Sequence, residues 1–256
     1  MKNHLILSIF PGIDLLGMGF EHQGFCVVRG PDLITGGDVR NFHPPKGAFK
    51  GLIGGSPCQD YSLLNNNPGT YSDEMLAEYC RVVRDSEPDW FLFENVAQAP
   101  TFTIDGYKQQ RFALDLCWFT DFSRLRHFVF GSRNGTLLNP ISGTKGEVLG
   151  TAVTGSDKRS FRACCDIQGL PSDFDLPSFT LEGKKQAVGN GVPLALGRYV
   201  AGLIAETVYG EPSKESEDFE DRRCKCGCGR VVVGKALYDS QACRKRAERA
   251  RKLNQI

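Results

Sequence analysis

The sequence predicts an α/β fold built on a Rossmann-like, mostly parallel sheet. Three observations predict it. Short apolar runs such as Leu5–Phe10 and Trp90–Phe93 have strand length and no amphipathic period, as strands buried on both faces do. The first of them breaks at Pro11-Gly12 and is followed by a helix-like stretch and a second strand, the opening βαβ unit of a nucleotide-binding sheet. Two later apolar runs end abruptly in reactive side chains, Cys58 and Glu94, and strand carboxyl ends are where open α/β sheets do their chemistry.

Taken in order, Leu5–Phe10 is the first strand and Leu15–Gln23 a helix closed by Gly24, a good C-cap. Phe25–Val28 is the second strand. Asp32 follows it, where a carboxylate can accept ribose hydroxyls, and Asp38 is a second carboxylate near the same edge. Leu52-Ile53 leads into Gly54-Gly55-Ser56-Pro57-Cys58-Gln59, whose glycines release the backbone and whose proline stiffens it before a thiol. Residues 65–69 form a polar loop. Ser72 is the expected cap of a helix over 73–85, with Met75, Leu76, Tyr79, Val82 and Val83 on one face. Trp90–Phe93 ends in Glu94-Asn95-Val96, and a carboxylate there is costly unless exposed, paired or used. Two strands, 111–118 and 126–131, are expected to pair as a hairpin around Phe122, with Arg124 and Arg126 projecting to one side. Residues 132–158 have no period. Helices are expected over 159–168 and 194–209, the second started by Pro193.

The 256 residues are 41% hydrophobic and 24% charged, enough for one large domain and a small appendage. No apolar run reaches the length of a membrane span, so no membrane association is expected. Met1–His4 leads directly into a strand, which reads as a cytoplasmic chain with reduced thiols. The net charge of +1 hides an asymmetry: residues 222–252 carry +9 and residues 1–221 carry −8. A basic tail on an acidic body is a nucleic-acid signal, set against a solvated helix face that binds nothing. The division expected is 1–209, an acidic linker at 210–221, and a basic module at 222–256. In that module Cys224, Cys226, Cys228 and Cys243 supply four thiols for a structural zinc, although the spacing is unlike the usual paired Cys-x-x-Cys.

Six stretches, in this order, resemble the DNA (cytosine-5) methyltransferases of bacteria and phages: Phe10-Pro11-Gly12-Ile13, Gly54–Gln59, Glu94-Asn95-Val96, Arg124-Leu125-Arg126, Gln168-Gly169-Leu170-Pro171 and Gln186–Val192. The resemblance covers roughly 5–209. It implies an S-adenosylmethionine-dependent methyltransferase sheet, duplex DNA as partner, a monomer, and a bacterial or phage-infected cytoplasm. It also implies site residues. Cys58 is the nucleophile that adds to carbon 6 of a flipped cytosine, Glu94 the acid at ring nitrogen 3, and Arg126, backed by Arg124, the cation at the base carbonyl. Phe10, Gly12, Ile13, Asp32, Asp38, Pro57, Asn190 and Val192 are implied for the cofactor, and Gln59, Ser62 and Asn95 for the target strand. Asp14-Leu15 stand where the family has paired glycines, so a weaker or differently seated cofactor is expected. Phe122 replaces the glutamine of the arginine motif. Residues 132–158 are far shorter than the family's usual target-recognition region. An RNA cytosine-5 methyltransferase and a catalytically weak, cofactor-binding regulator are the alternatives.

Overall fold

A computed structural model describes residues 4–61, 67–143, 148–153, 157–214, 224–226, 238 and 240–253. Its centre is a six-stranded sheet in the order β2-β1-β3-β4-β7-β5. The strands are β1 (Leu5–Ile9), β2 (Cys26–Arg29), β3 (Gly51–Gly54), β4 (Trp90–Asn95), β5 (Lys108–Asp115) and β7 (Leu125–Ser132). The first four are mutually parallel, and β7 pairs antiparallel with both β4 and β5. A two-stranded parallel ribbon joins β6 (Phe122–Ser123) to β8 (Gly150–Thr151).

The alternation along β4 shows why these runs carry no amphipathic period. Trp90 and Leu92 enter one apolar cluster with Phe20, Leu196 and Ile204; Phe91 and Phe93 enter the other with Met75, Tyr79 and Val83. Successive side chains leave opposite faces, and both faces are covered. Helices α1 (Leu15–Gln23) and α5 (Leu194–Tyr209) cover the first face, and α2 (Tyr71–Ser86) the second. The far end of α5 is fastened by Tyr209, which accepts from Trp90 Nε1 at 2.8 Å and stacks on His4.

Several boundaries differ from the sequence reading. The second strand is Cys26–Arg29 at the sheet's edge, largely exposed. Ser72 is not the cap of α2: the helix starts at Tyr71, and Ser72 lies inside it, buried, exchanging hydrogen bonds with Asp60. The strand expected over 111–118 is β5, ending at Asp115, whose carboxylate turns the chain into a 3-10 turn at Leu116–Trp118. The helix expected from Arg159 is α3 (Phe161–Gln168), because Ser160 caps it by accepting from the Ala163 amide. A further helix, α4 (Leu181–Asn190), was not legible; its five-residue run Gly183–Ala187 offers almost no apolar stripe.

Candidate active site

The carboxyl ends of β1, β3 and β4 open on one side of the sheet, and a cleft of about 320 Å3 lies against them. One wall is the turn after β1, with Phe10, Gly12 and Ile13. The second is the segment after β2, with Asp32, Leu33, Ile34 and Asp38. The floor holds Pro57, Cys58, Glu94 and Arg126, and α4 supplies Ala187 and Asn190.

Cys58, Glu94 and Arg126 come from three different strands or their exits. Arg126 Nε lies 2.9 Å from Glu94 Oε1, and both side chains are largely buried. Burial pushes the Glu94 carboxyl above the ordinary range against the pull of Arg126 and Arg124. Burial also pushes the Cys58 thiol up, the Glu94 charge adds to that, and the two arginines oppose it. The Glu94 charge therefore holds the Cys58 proton on, while burial raises the Glu94 carboxyl. Neutral Glu94 favours the Cys58 thiolate. Gly55 makes this approach feasible: a Cβ there would sit 2.6 Å from the Glu94 carbonyl oxygen and 2.9 Å from Oε2.

Arg124 stands behind this group and does not line the cleft. Its Nη1 donates to the Val153 carbonyl and its Nη2 to that of Gly189 at 2.6 Å, tying the segment after β8 to α4. Burial lowers its pKa to about 9, so it remains a cation at neutral pH. Asn95 lines the cleft, yet its amide is committed internally. Nδ2 donates to the Ser56 carbonyl at 3.1 Å, and Oδ1 accepts from the Val96 amide at 2.8 Å. It holds the Cys58 turn to the end of β4. Gln59 lines the cleft; Val192 is buried in the core beside it and does not. Ser62 lies outside the described residues.

The root of the loop after Cys58 is clamped by one side chain. The Asp60 carboxylate accepts from the amides of Gly69 and Ser72, each at 2.8 Å, and these bonds hold it below the ordinary carboxylate range. Tyr61 donates to Asp73 at 2.8 Å.

The Asp14-Leu15 departure has a local solution. Asp14 adopts φ 59°, the left-handed conformation that a glycine takes readily. Its carboxylate points inward, 2% exposed, and does not reach the cleft. Oδ1 accepts from Ser8 Oγ at 2.8 Å and from the Gly17 amide at 3.1 Å, and Oδ2 lies 2.8 Å from Arg29 Nε. One carboxylate thus caps α1 and links β1 to β2. It also requires Gly17, where a Cβ would lie 2.2 Å from Oδ2. Leu15 fills an apolar cluster with Val188 and Leu194.

The walls offer an apolar lip that suits the flat adenine ring of S-adenosylmethionine and carboxylates that suit its ribose hydroxyls. Leu33 and Ile34 are 66% and 47% exposed, an apolar lip without cover. Asp32 spends one lone pair of each oxygen on the amides of Gly12 and Ile34, which leaves acceptor capacity facing the cleft. Sequence reasoning missed the Leu33-Ile34 lip because two apolar residues in a three-residue 3-10 turn have no period.

Residues 34–105 match the family model of C-5 cytosine-specific DNA methylase. Over those residues the chain is similar to the C-5 cytosine-specific DNA methylases. It is 37% identical over 120 residues to the type II methylase M.HgiDII of Herpetosiphon aurantiacus, a match covering 38% of this chain and 34% of that protein. It is 25% identical over 170 residues to the orphan methyltransferase M.SPRI of Bacillus phage SPR, over 52% of this chain and 39% of the relative. The chain spans about a third of the length of the curated relatives it matches. The fold is similar to the Entamoeba histolytica methyltransferase EhMeth, with TM-score 0.60, 13% identity and coverage of 81% of this chain and 99% of that one. It is also similar to Spodoptera frugiperda DNMT2, with TM-score 0.56, 13% identity, and coverage of 78% and 99%.

In the tail, the sulfur atoms of Cys224, Cys226 and Cys243 all lie within 4.8 Å of one another. Cys228 lies outside the described residues. Helix α6 (Gln241–Leu253) follows, with Arg244, Lys245, Arg246 and Arg249 exposed. No helix among the described residues is long and apolar enough to cross a membrane.

Proposed function

We propose that this protein methylates carbon 5 of cytosine in duplex DNA, through a transient bond between Cys58 and a base flipped out of the helix. The observation that carries this reading is the convergence of Cys58, Glu94 and Arg126 on one cleft with Phe10, Asp32 and Asn190. In this reading residues 1–209 form the catalytic domain, S-adenosylmethionine is its cofactor, and a structural zinc ion belongs to the tail. The phage and type II relatives support self-protection of a genome or restriction–modification, rather than regulation, as the setting.

Bound at the Phe10–Ile13 turn, between the Leu33-Ile34 lip and the two carboxylates, the cofactor supplies an electrophilic methyl group. The protein's part is to make carbon 5 nucleophilic. Cys58 gives up its proton and its sulfur adds to carbon 6, which pushes electron density toward ring nitrogen 3. Glu94, its pKa raised by burial, donates a hydrogen bond or proton there. Arg126, displaced from Glu94 by the base, faces the carbonyl oxygen. After methyl transfer the carbon 5 proton leaves to a base and the Cys58–carbon 6 bond breaks, restoring the aromatic ring. Flipping the base costs a few kcal/mol.

Duplex DNA carrying 5-fluorocytosine should trap the adduct, with mass spectrometry locating it on Cys58. An adduct elsewhere, or none from an active preparation, refutes the mechanism. Transfer to structured RNA with none to duplex DNA moves the substrate to RNA.

A further inference from the structure

We propose that Cys224, Cys226 and Cys243 form a zinc site whose occupancy decides whether the basic helix α6 forms and grips phosphate. The proposal deepens the zinc reading of the tail and rests on the reading of this chain as a nucleic-acid enzyme.

The argument begins with what α6 lacks. It has 13 residues, a length at which an isolated helix is marginal in water. Among its described side chains only Cys243 and Ala247 are buried. Lys245 and Arg249 repel each other one turn apart, and the Arg244–Glu248 pair at 3.1 Å is exposed and weak. Its residues are good helix formers, but at this length propensity alone is marginal, and its described side chains present no broad apolar stripe. Among the described residues, the cluster packed at its start is made of Cys224 and Cys243, with Cys226 and Tyr238 against them.

The geometry of that cluster fits metal thiolates. Cys224 and Cys226 Sγ atoms are 3.4 Å apart, and all three sulfurs fall within 4.8 Å. Two thiolates on one tetrahedral zinc stand about 3.8 Å apart. A disulfide needs about 2.05 Å and joins two sulfurs, not three. Cys243 sits in the first turn of α6, where the helix dipole favours a thiolate, and its amide donates to Ser240 Oγ at 3.2 Å. On binding, the three thiols release their protons to solvent and their sulfurs become ligands. Because the unfolded tail has no formed site, the binding free energy goes into folding. Zinc would thus stand in for the apolar stripe, and loading would fix Arg244, Lys245, Arg246 and Arg249 as an array.

The test uses the full chain. We expect one zinc per chain by elemental analysis, and cobalt(II) substitution should give the thiolate-to-metal charge-transfer band. Chelation should lower helical circular dichroism and weaken duplex-DNA affinity at least tenfold. The salt dependence should become shallower by about 3 to 4, the loss of four phosphate contacts. Zinc should restore all three. Cys243→Ser should mimic chelation, while Cys26→Ser, on the exposed strand β2, should bind metal as the parent does. A chain without thiolate-bound metal, or with a Cys224–Cys243 disulfide in its place, overturns the site. Metal whose removal leaves DNA affinity unchanged overturns the coupling. S-adenosylmethionine binding, measured by calorimetry on the chelated chain, reports on the catalytic reading separately, so failure of one is not mistaken for failure of the other.

Discussion

The sheet body and the cysteine tail solve the same problem by opposite means. In the body each element is held by what it buries: β4 sends Trp90 and Leu92 to one apolar layer and Phe91 and Phe93 to the other. Reactive groups there are additions to a structure that is stable without them, and burial perturbs them, as Cys58 and Glu94 show. Among the described residues of the tail, those buried are Cys224, Cys243 and Ala247. The contrast teaches that a buried thiol means different things in the two places. In the body Cys80, Cys117, Cys164 and Cys165 are buried as core packing, while the half-buried Cys58 opens on the cleft, where we take it as the reagent. In the tail we take the buried thiol as the fastening.

Substitutions test the contrast, the largest effect first. Cys58→Ser should abolish methyl transfer, by at least 10³-fold, while the melting temperature stays within about 2 °C of the parent. A large loss of stability would make Cys58 structural. Glu94→Gln should lower kcat by about 10²–10⁴-fold. It should also change the pH dependence of stability in a signed way. The folded carboxyl is raised above its ordinary value of 4.5, so its contribution is present below that value and lost as pH rises through the folded one. Melting curves of Glu94→Gln should therefore fall less over that window than those of the parent. An equal fall in both would place the perturbed proton elsewhere.

Truncation at residue 215 should weaken duplex-DNA affinity about 10- to 100-fold and flatten its salt dependence, with S-adenosylmethionine affinity retained. Unchanged DNA binding would leave the tail without the role given it here. Asp14→Gly relieves a left-handed backbone but removes the cap on α1 and the bonds to Ser8 and Arg29. We expect a net loss of about 1–3 kcal/mol in stability and a several-fold weaker cofactor, measured by denaturation and calorimetry. A tighter cofactor would mean that the carboxylate hinders the loop it caps. Cys26→Ser should change neither stability nor transfer measurably, since Cys26 is exposed at the sheet's edge.

Much of the site was legible because its residues are punctuation. Glycines and a proline at strand ends, followed by Cys58 and Glu94, stand out against apolar runs. Helix α4 was hidden because Gly183 and two lysines interrupt any stripe, and its buried residues fall together at Ala187, Val188 and Gly189. The expectation for Asp14-Leu15 concerned a missing glycine pair. The compensation lies in Ser8, Gly17 and Arg29, and the Arg29 contact crosses from β2, which no local pattern announces. Val192 fits its motif but turns into the core, since its neighbour Asn190 occupies the cleft.

The sequence by itself determined the sheet class, the order of the reactive residues and the charge split between body and tail, because apolar period, glycine punctuation and formal charge are local properties of the chain. Only the tertiary structure decided which residues share a cleft, which way the Asp14 carboxylate turns, and that the Glu94 charge raises the Cys58 thiol. Those outcomes depend on distances of a few ångströms between strands far apart in the chain, where burial multiplies the strength of every charge.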